Sequence, residues 1–207
     1  MKVDVWTDIV CPWCFIGITR FERAIAQFDG DVAVQLHAFQ LDPAAPVPGI
    51  PALERYARKF GDEAPHLLKR VTDEGAKDGI EMRFDRAITG NTFDAHRLLR
   101  LAAPSGKQRE LEMSLYRAYF TEGFDITDRF VLADRAATAG LDREAALTYL
   151  NGDDGVDEVR RDLETAFERG ISGVPAFVFE DRYLLPGAVD TNTFLQVFEQ
   201  VASASRA

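Results

Sequence analysis

Apolar residues alternate with polar ones, recur at helical spacing, and alternate again over residues 2–41. The run "KVDVWTDIV" (2–10) is rich in β-branched and aromatic side chains and predicts a strand. In "FIGITRFERAIAQF" (15–28), Phe15, Ile18, Phe21, Ile25 and Phe28 fall on one helical face, and Gly30 supplies a stop. "VAVQLHAFQL" (32–41) alternates again and predicts a second strand. A strand, a helix and a strand in this order form a βαβ unit, whose two strands run parallel.

The pattern changes at "DPAAPVPGIP" (42–51), where four prolines in ten residues mark a linker or irregular loop. From there to about residue 150 only helical patterns follow, apart from "IEMRFDRAITG" (80–90), which reads as extended or irregular. The helical runs carry Leu67, Leu68 and Val71, then Phe93, His96 or Arg97, Leu98 and Leu99, then Leu111, Leu115, Tyr116, Tyr119 and Phe120. Near residue 153 the βα grammar returns. "DDGVDEVRRDLETAFERG" (153–170) sets Val156, Val159, Leu163, Ala166 and Phe167 on one stripe. "GVPAFVFE" (173–180) and "RYLLPGA" (182–188) read as an antiparallel hairpin, and "DTNTFLQVFEQVASA" (190–204) as a last helix with Asp190 or Thr191 at its N-cap. The final "SASRA" (203–207) is expected to fray.

The order is therefore β-α-β, a block of helices, then α-β-β-α. That is an α/β, thioredoxin-like fold with an all-α domain inserted after the second strand. Residues 1–42 and 153–207 form the thioredoxin-like domain and residues 43–152 the helical insertion, expected to cap the sheet near its CxxC end.

Composition narrows the partners. The chain has 207 residues, 46% of them hydrophobic, with 34 acidic against 24 basic residues and a net charge of −10. A net anionic protein is a poor fit to nucleic acid or to anionic lipid. The longest uncharged apolar stretches fall far short of the roughly 18 residues a membrane span needs. The first residues already look like a strand and not like a secretory leader, so the expected location is the cytoplasm.

Against that background the two cysteines stand out. Cys11 and Cys14 enclose Pro12 and Trp13 where the first strand meets the first helix. Unpaired N–H groups and a partial positive charge at a helix N-terminus favour a thiolate there. Cys14, one turn later, can reach the same sulfur, so the pair can open and close a disulfide by exchange. Pro12 suits the first helical turn, where no N–H is needed. Cys11 is assigned as the attacking thiol and Cys14 as the resolving one. A zinc site would need two more ligands, and only His37, His66 and His96 are on offer, without a second CxxC, so no metal is expected. A structural disulfide across so short a loop would stabilise little. A second motif supports redox chemistry. Val174-Pro175 opens a strand in the C-terminal half, where a proline removes a ladder donor. A cis bond at Pro175 would turn the Val174 backbone toward an extended substrate segment.

"DIVCPWCFIG" (8–17), "GNTFDAHRLLRLA" (90–102), "LYRAYFTEGFDITD" (115–128) and "GISGVPAFVFEDRYLLPGA" (170–188) together resemble the DsbA-like thioredoxin family, and within it the FrnE-like subgroup of thiol-disulfide oxidoreductases. The resemblance runs over nearly the whole chain. It implies a thioredoxin fold with a helical insertion and disulfide exchange through Cys11 and Cys14. It also implies polypeptide or small-thiol substrates, and no cofactor beyond glutathione as a co-substrate. Periplasmic members commonly carry His where Trp13 stands, which implies a less oxidising couple here. The subgroup often reads SGA in the last hairpin, where this chain has Pro186. The extra C-terminal cysteines of some isomerases are missing here. Two other readings remain open: a glutathione-dependent isomerase or kappa-class-transferase-like enzyme, which would generally carry Ser at position 11, and a redox-inert, chaperone-like binding protein.

Several further residues invite roles. Asp4 or Asp8 could accept a proton from Cys14 or serve as an ordinary solvated or capping acid. Asn91, Thr92 and His96 either line the site or supply an N-cap and a core histidine. Trp13, Phe15, Tyr119 and Phe124 could form an apolar groove for unfolded segments.

Overall fold

The computed structural model describes residues 1–204. β1 (Lys2–Thr7) is buried at every position but Lys2, because it is a central strand covered on both faces. α1 (Pro12–Gln27) follows, with proline in its first turn and Phe15, Ile18 and Phe21 on its buried face. β2 (Ala33–Ala38) then pairs parallel with β1, from Lys2 opposite Ala33 to Thr7 opposite Ala38.

The helical block begins with β3 (Ile50–Pro51), α2 (Ala52–Phe60) and α3 (Ala64–Lys77). β4 (Ile88–Thr89), α4 (Phe93–Ala102) and α5 (Gln108–Arg117) come next, and α5 runs on into a π-helical turn, Ala118–Glu122. α6 (Arg129–Thr138) and α7 (Arg143–Asn151) complete it. The block is not purely helical. β3 and β4 form a two-stranded antiparallel ribbon, Ile50 opposite Thr89 and Pro51 opposite Ile88. Two-residue ladders are too short to show alternation, so the pattern of residues 80–90 could say only "extended or irregular".

α8 (Val156–Glu168), β5 (Ala176–Phe179), β6 (Tyr183–Pro186) and α9 (Thr191–Ala204) close the chain. The four-stranded sheet runs β2-β1-β5-β6, with β5 antiparallel to both β1 and β6. Glu180 and Asp181 take left-handed backbone angles in the hairpin turn. Pro186 sits on the edge strand, where the missing donor costs no ladder bond. The Asp190 carboxylate accepts the Thr193 N–H at 2.9 Å, capping α9. Ser203 and Ala204 are helical; the rest of the expected frayed end, 205–207, lies outside the described residues.

The stripe expected on α8 needs correction. Phe167 is 85% exposed, and Asp162 takes an inward position instead. Its Oδ2 accepts the Ala38 N–H at 3.1 Å and its Oδ1 lies 2.8 Å from His37 Nδ1, so a polar clasp displaces an apolar contact.

α1 and α9 cover one face of the sheet through Phe21, Phe177, Phe194 and Phe198, and the apolar core continues into α4–α7 without a break. Phe15 joins the two parts: its ring stacks on Tyr116 at 5.1 Å and on Phe120 at 5.8 Å between centroids. A smaller cluster of Trp6, Ala166, Ile171, Ala176 and Val178 lies apart from this core and includes residues of α8 and β5.

Candidate active site

Cys11 is the N-cap of α1 and is extended, with φ −87° and ψ 110°. Its N–H bonds back to the Asp8 carbonyl at 3.0 Å, and its Sγ accepts the Cys14 N–H at 3.3 Å. The sulfur thus occupies the place of the oxygen that usually caps a helix. Both thiols are free, Cys11 4% exposed and Cys14 fully buried. Burial pushes the Cys14 thiol well above its usual range, and Cys11 as neighbour adds to this; the Asp8 backbone and the Thr7 hydroxyl pull the other way.

Pro12 is buried and Trp13 half-buried, with the Arg70 guanidinium 5.6 Å from a Trp13 ring centroid. The Val174–Pro175 peptide is cis. The Cys11 thiol donates to the Val174 carbonyl at 3.6 Å, and Pro175 packs over Gly17 of α1. The structure therefore gathers Cys11, Cys14, Val174 and Pro175 at the start of α1, beside Pro12 and Trp13.

The other residues singled out on sequence have structural partners. Asp4 lies at the far end of β1, 2.8 Å from His37 Nε2 and 2.9 Å from Lys2 Nζ. Asp8 accepts the Leu41 N–H at 2.8 Å. Asn91, and not Thr92, takes the Phe93 N–H, at 2.9 Å. His96 Nε2 lies 2.9 Å from the Phe39 carbonyl and is a core histidine. The four-aromatic groove does not form: Phe15 and Tyr119 are buried, while Phe124 is exposed beneath the Arg135 guanidinium. Aromatics at helical spacing went to the core.

A buried polar group that the apolar pattern does not reveal lies near Cys14. Thr7, Tyr116 and Glu112 are all buried, and the Tyr116 hydroxyl is hydrogen-bonded to Thr7 Oγ1 and donates to Glu112 Oε1 at 3.2 Å. The signal in the sequence was Glu112 four residues before Tyr116, on the inward face of α5.

Two thiols at the first turn of a helix, between a parallel βαβ unit and a cis-proline, define a thiol-disulfide oxidoreductase of the thioredoxin fold. Comparison with known proteins agrees. Residues 2–199 match the DSBA-like thioredoxin domain, and the chain belongs to that family. A probable DsbA oxidoreductase from Streptomyces coelicolor is 34% identical and superimposes with a TM-score of 0.90 over 98% of this chain and 90% of that one. YwbO from Bacillus subtilis is 28% identical over 94% of each chain. The cytosolic disulfide reductase DsbM from Pseudomonas aeruginosa, solved with GSH, is 22% identical, covers 100% of this chain and 98% of its own, and shares the fold with a TM-score of 0.66. The resemblance to the DsbA-like family holds.

Proposed function

We propose that this oxidoreductase exchanges disulfides in the cytoplasm with extended polypeptides or small thiols, using Cys11 as nucleophile and Cys14 as resolving thiol. One observation carries the reading: Cys11 Sγ caps α1, accepting the Cys14 N–H, and at the same time faces the Val174 carbonyl. In the reductive direction the Cys11 thiolate attacks a substrate disulfide and forms a mixed disulfide. Cys14 then attacks the Cys11 sulfur, releasing the substrate thiol and leaving a Cys11–Cys14 disulfide. The backbone at Val174 lines the place where an extended substrate segment would lie, with Pro12, Trp13 and Pro175 shaping its walls. No metal or organic cofactor enters these steps. Among the described residues no helix is long and apolar enough to cross a membrane.

A small-thiol partner is favoured by the GSH held by the DsbM neighbour, which makes glutathione the first co-substrate to test. Cysteine at position 11 counts against the glutathione-dependent isomerase reading, and the free pair at the helix start against a redox-inert one. The reduction potential of the pair, measured by equilibration in glutathione buffers with Cys14→Ser as control, tests the proposal. A value near or above about −200 mV makes the protein an oxidant or isomerase, and one near −270 mV or lower a reductase. A pair that does not equilibrate with glutathione at all refutes exchange.

A further inference from the structure

Glu112 is fully buried, and its Oε2 has no hydrogen-bond partner among the described residues. Such a carboxyl is expensive unless it holds a proton or trades one. Its surroundings point to trade. The Thr7 hydroxyl, at the end of β1, favours the ionised form of both the Cys14 thiol and the Glu112 carboxyl. Tyr116, one turn along α5, is hydrogen-bonded to Thr7 and to Glu112 Oε1. The charges of Glu22 of α1 and Arg109 of α5 act on Glu112 in opposite directions, and the two are ion-paired to each other. On its other side Cys14 meets Cys11 and the Asp8 backbone.

We propose that Glu112, on the helical insertion, is the proton acceptor for the buried Cys14 thiol, reached through the Thr7 and Tyr116 hydroxyls. The inference rests on the exchange reaction proposed above. When the mixed disulfide at Cys11 is resolved, the Cys14 S–H gives its proton to Thr7 Oγ1 as Thr7 gives its own to the Tyr116 hydroxyl oxygen and Tyr116 gives its proton to the Glu112 carboxylate. The Cys14 thiolate attacks the Cys11 sulfur, the bond between Cys11 and the substrate breaks, and the substrate leaves as a thiolate that takes a proton from water. Two electrons pass from the cysteine pair to the substrate. In the opposite direction a client thiolate attacks Cys11, Cys14 departs as a thiolate, and Glu112 returns the proton. Burial raises Glu112 to about 8, against hydrogen bonds from Thr7 and Tyr116 that lower it. That value suits a base working near neutral pH, whereas the Cys14 thiol is pushed far above it.

Reduced protein is mixed with glutathione disulfide, quenched in acid at intervals, and the mixed and internal disulfides are separated by mass across pH 6–10. In the wild type, resolution should speed up through a limb near pH 8. Glu112→Gln, which keeps the shape, should lose that limb and resolve more slowly by on the order of 10²-fold at pH 7.5, leaving alkylation of Cys11 unchanged. Thr7→Val should behave like Glu112→Gln, and Thr7→Ser like the wild type, which carries the test if Glu112→Gln does not fold. An unaltered limb in Glu112→Gln and Thr7→Val overturns the relay. A wild type that forms no mixed disulfide instead refutes the exchange reaction itself.

Discussion

Gly17 of α1 lies so close to Pro175 that a Cβ placed on it would stand 2.8 Å from the proline Cγ and 3.3 Å from the Ala188 Cα. Neither neighbour is the free end of a flexible side chain, so a methyl group here must move the ring or the backbone. Overpacking of this kind costs roughly 1–3 kcal/mol. Gly17→Ala is therefore expected to lower the denaturant midpoint. It should also slow the reaction of Cys11 with a chromogenic disulfide, since Val174, which faces the sulfur, is bonded to the displaced ring. A variant as stable and as reactive as the wild type would show that Pro175 has room that the packing denies it.

The two thiols should differ in reactivity. Cys14 is fully buried, and both burial and its neighbour Cys11 hold its thiol well above the usual range. Iodoacetamide at pH 7 should label Cys14→Ser readily, at Cys11, and Cys11→Ser hardly at all. Alkylation of Cys11→Ser in guanidinium should then become fast. Equal native rates would contradict the assignment of Cys11 as the attacking sulfur.

His37 predicts a pH dependence of stability. Its Nε2 lies 2.8 Å from Asp4 and its Nδ1 2.8 Å from Asp162, while its ring stacks on Trp6 at 4.5 Å. Burial alone would lower its pKa from 6.5, but the carboxylates of Asp162 and Asp4 outweigh that and raise it. Burial would likewise raise Asp4 above 3.8, yet His37 and Lys2 hold it below. The histidine contributes fully below about pH 6.5 and its contribution fades as pH climbs through the raised folded value. Asp4 contributes above pH 3.8 and is lost as pH falls through its lowered value. Denaturation of the wild type should therefore show falling stability on the alkaline side of pH 6.5, and His37→Gln should be less stable at pH 6 with that slope flattened. Parallel curves for the two proteins would remove His37 as the cause.

The β-α-β start, the closing hairpin and the CxxC at the strand–helix junction were legible because each is local. Alternation, helical spacing and a three-residue offset all show within a short window. What escaped depends on partners far along the chain. Asp162 turns inward because His37 and the Ala38 N–H wait there, so the apolar stripe of α8 cannot end at Phe167. The β3–β4 ribbon pairs residues far apart in the chain, Ile50 with Thr89 and Pro51 with Ile88. Glu112 lies on an inward face of α5, where an apolar pattern passes over a carboxylate, and its partner Thr7 stands more than a hundred residues away in the chain.

Arg97 occupies a core-facing position of α4, only 2% exposed, beside His96, with which it shares the inward place in the helical pattern. Its guanidinium donates to Asp94 Oδ1 at 2.7 Å and to the carbonyls of Tyr149, Leu150, Gly152 and Asp154 at 2.6–3.1 Å. It thereby satisfies carbonyl groups at the C-terminal end of α7 and in the turn before α8. The five N–H groups of arginine stand in a planar fork, and a lysine ammonium has three donors on one nitrogen, so Arg97→Lys must give up at least two of these five hydrogen bonds; the Tyr149 carbonyl keeps the Gly152 N–H at 3.3 Å, so at least one acceptor is left without a partner. Each buried unsatisfied group costs about 1–3 kcal/mol, so a loss of about that size is expected in chemical denaturation. The loss should be local as well as global: backbone amides around residues 149–156 should exchange hydrogen faster in Arg97→Lys, while those of β1 keep their protection relative to the lowered stability. If lysine is tolerated with neither effect, Arg97 does not clamp the junction between α7 and α8, and the turn is held by its own backbone bonds, such as Gly152 N–H to the Thr148 carbonyl at 3.2 Å.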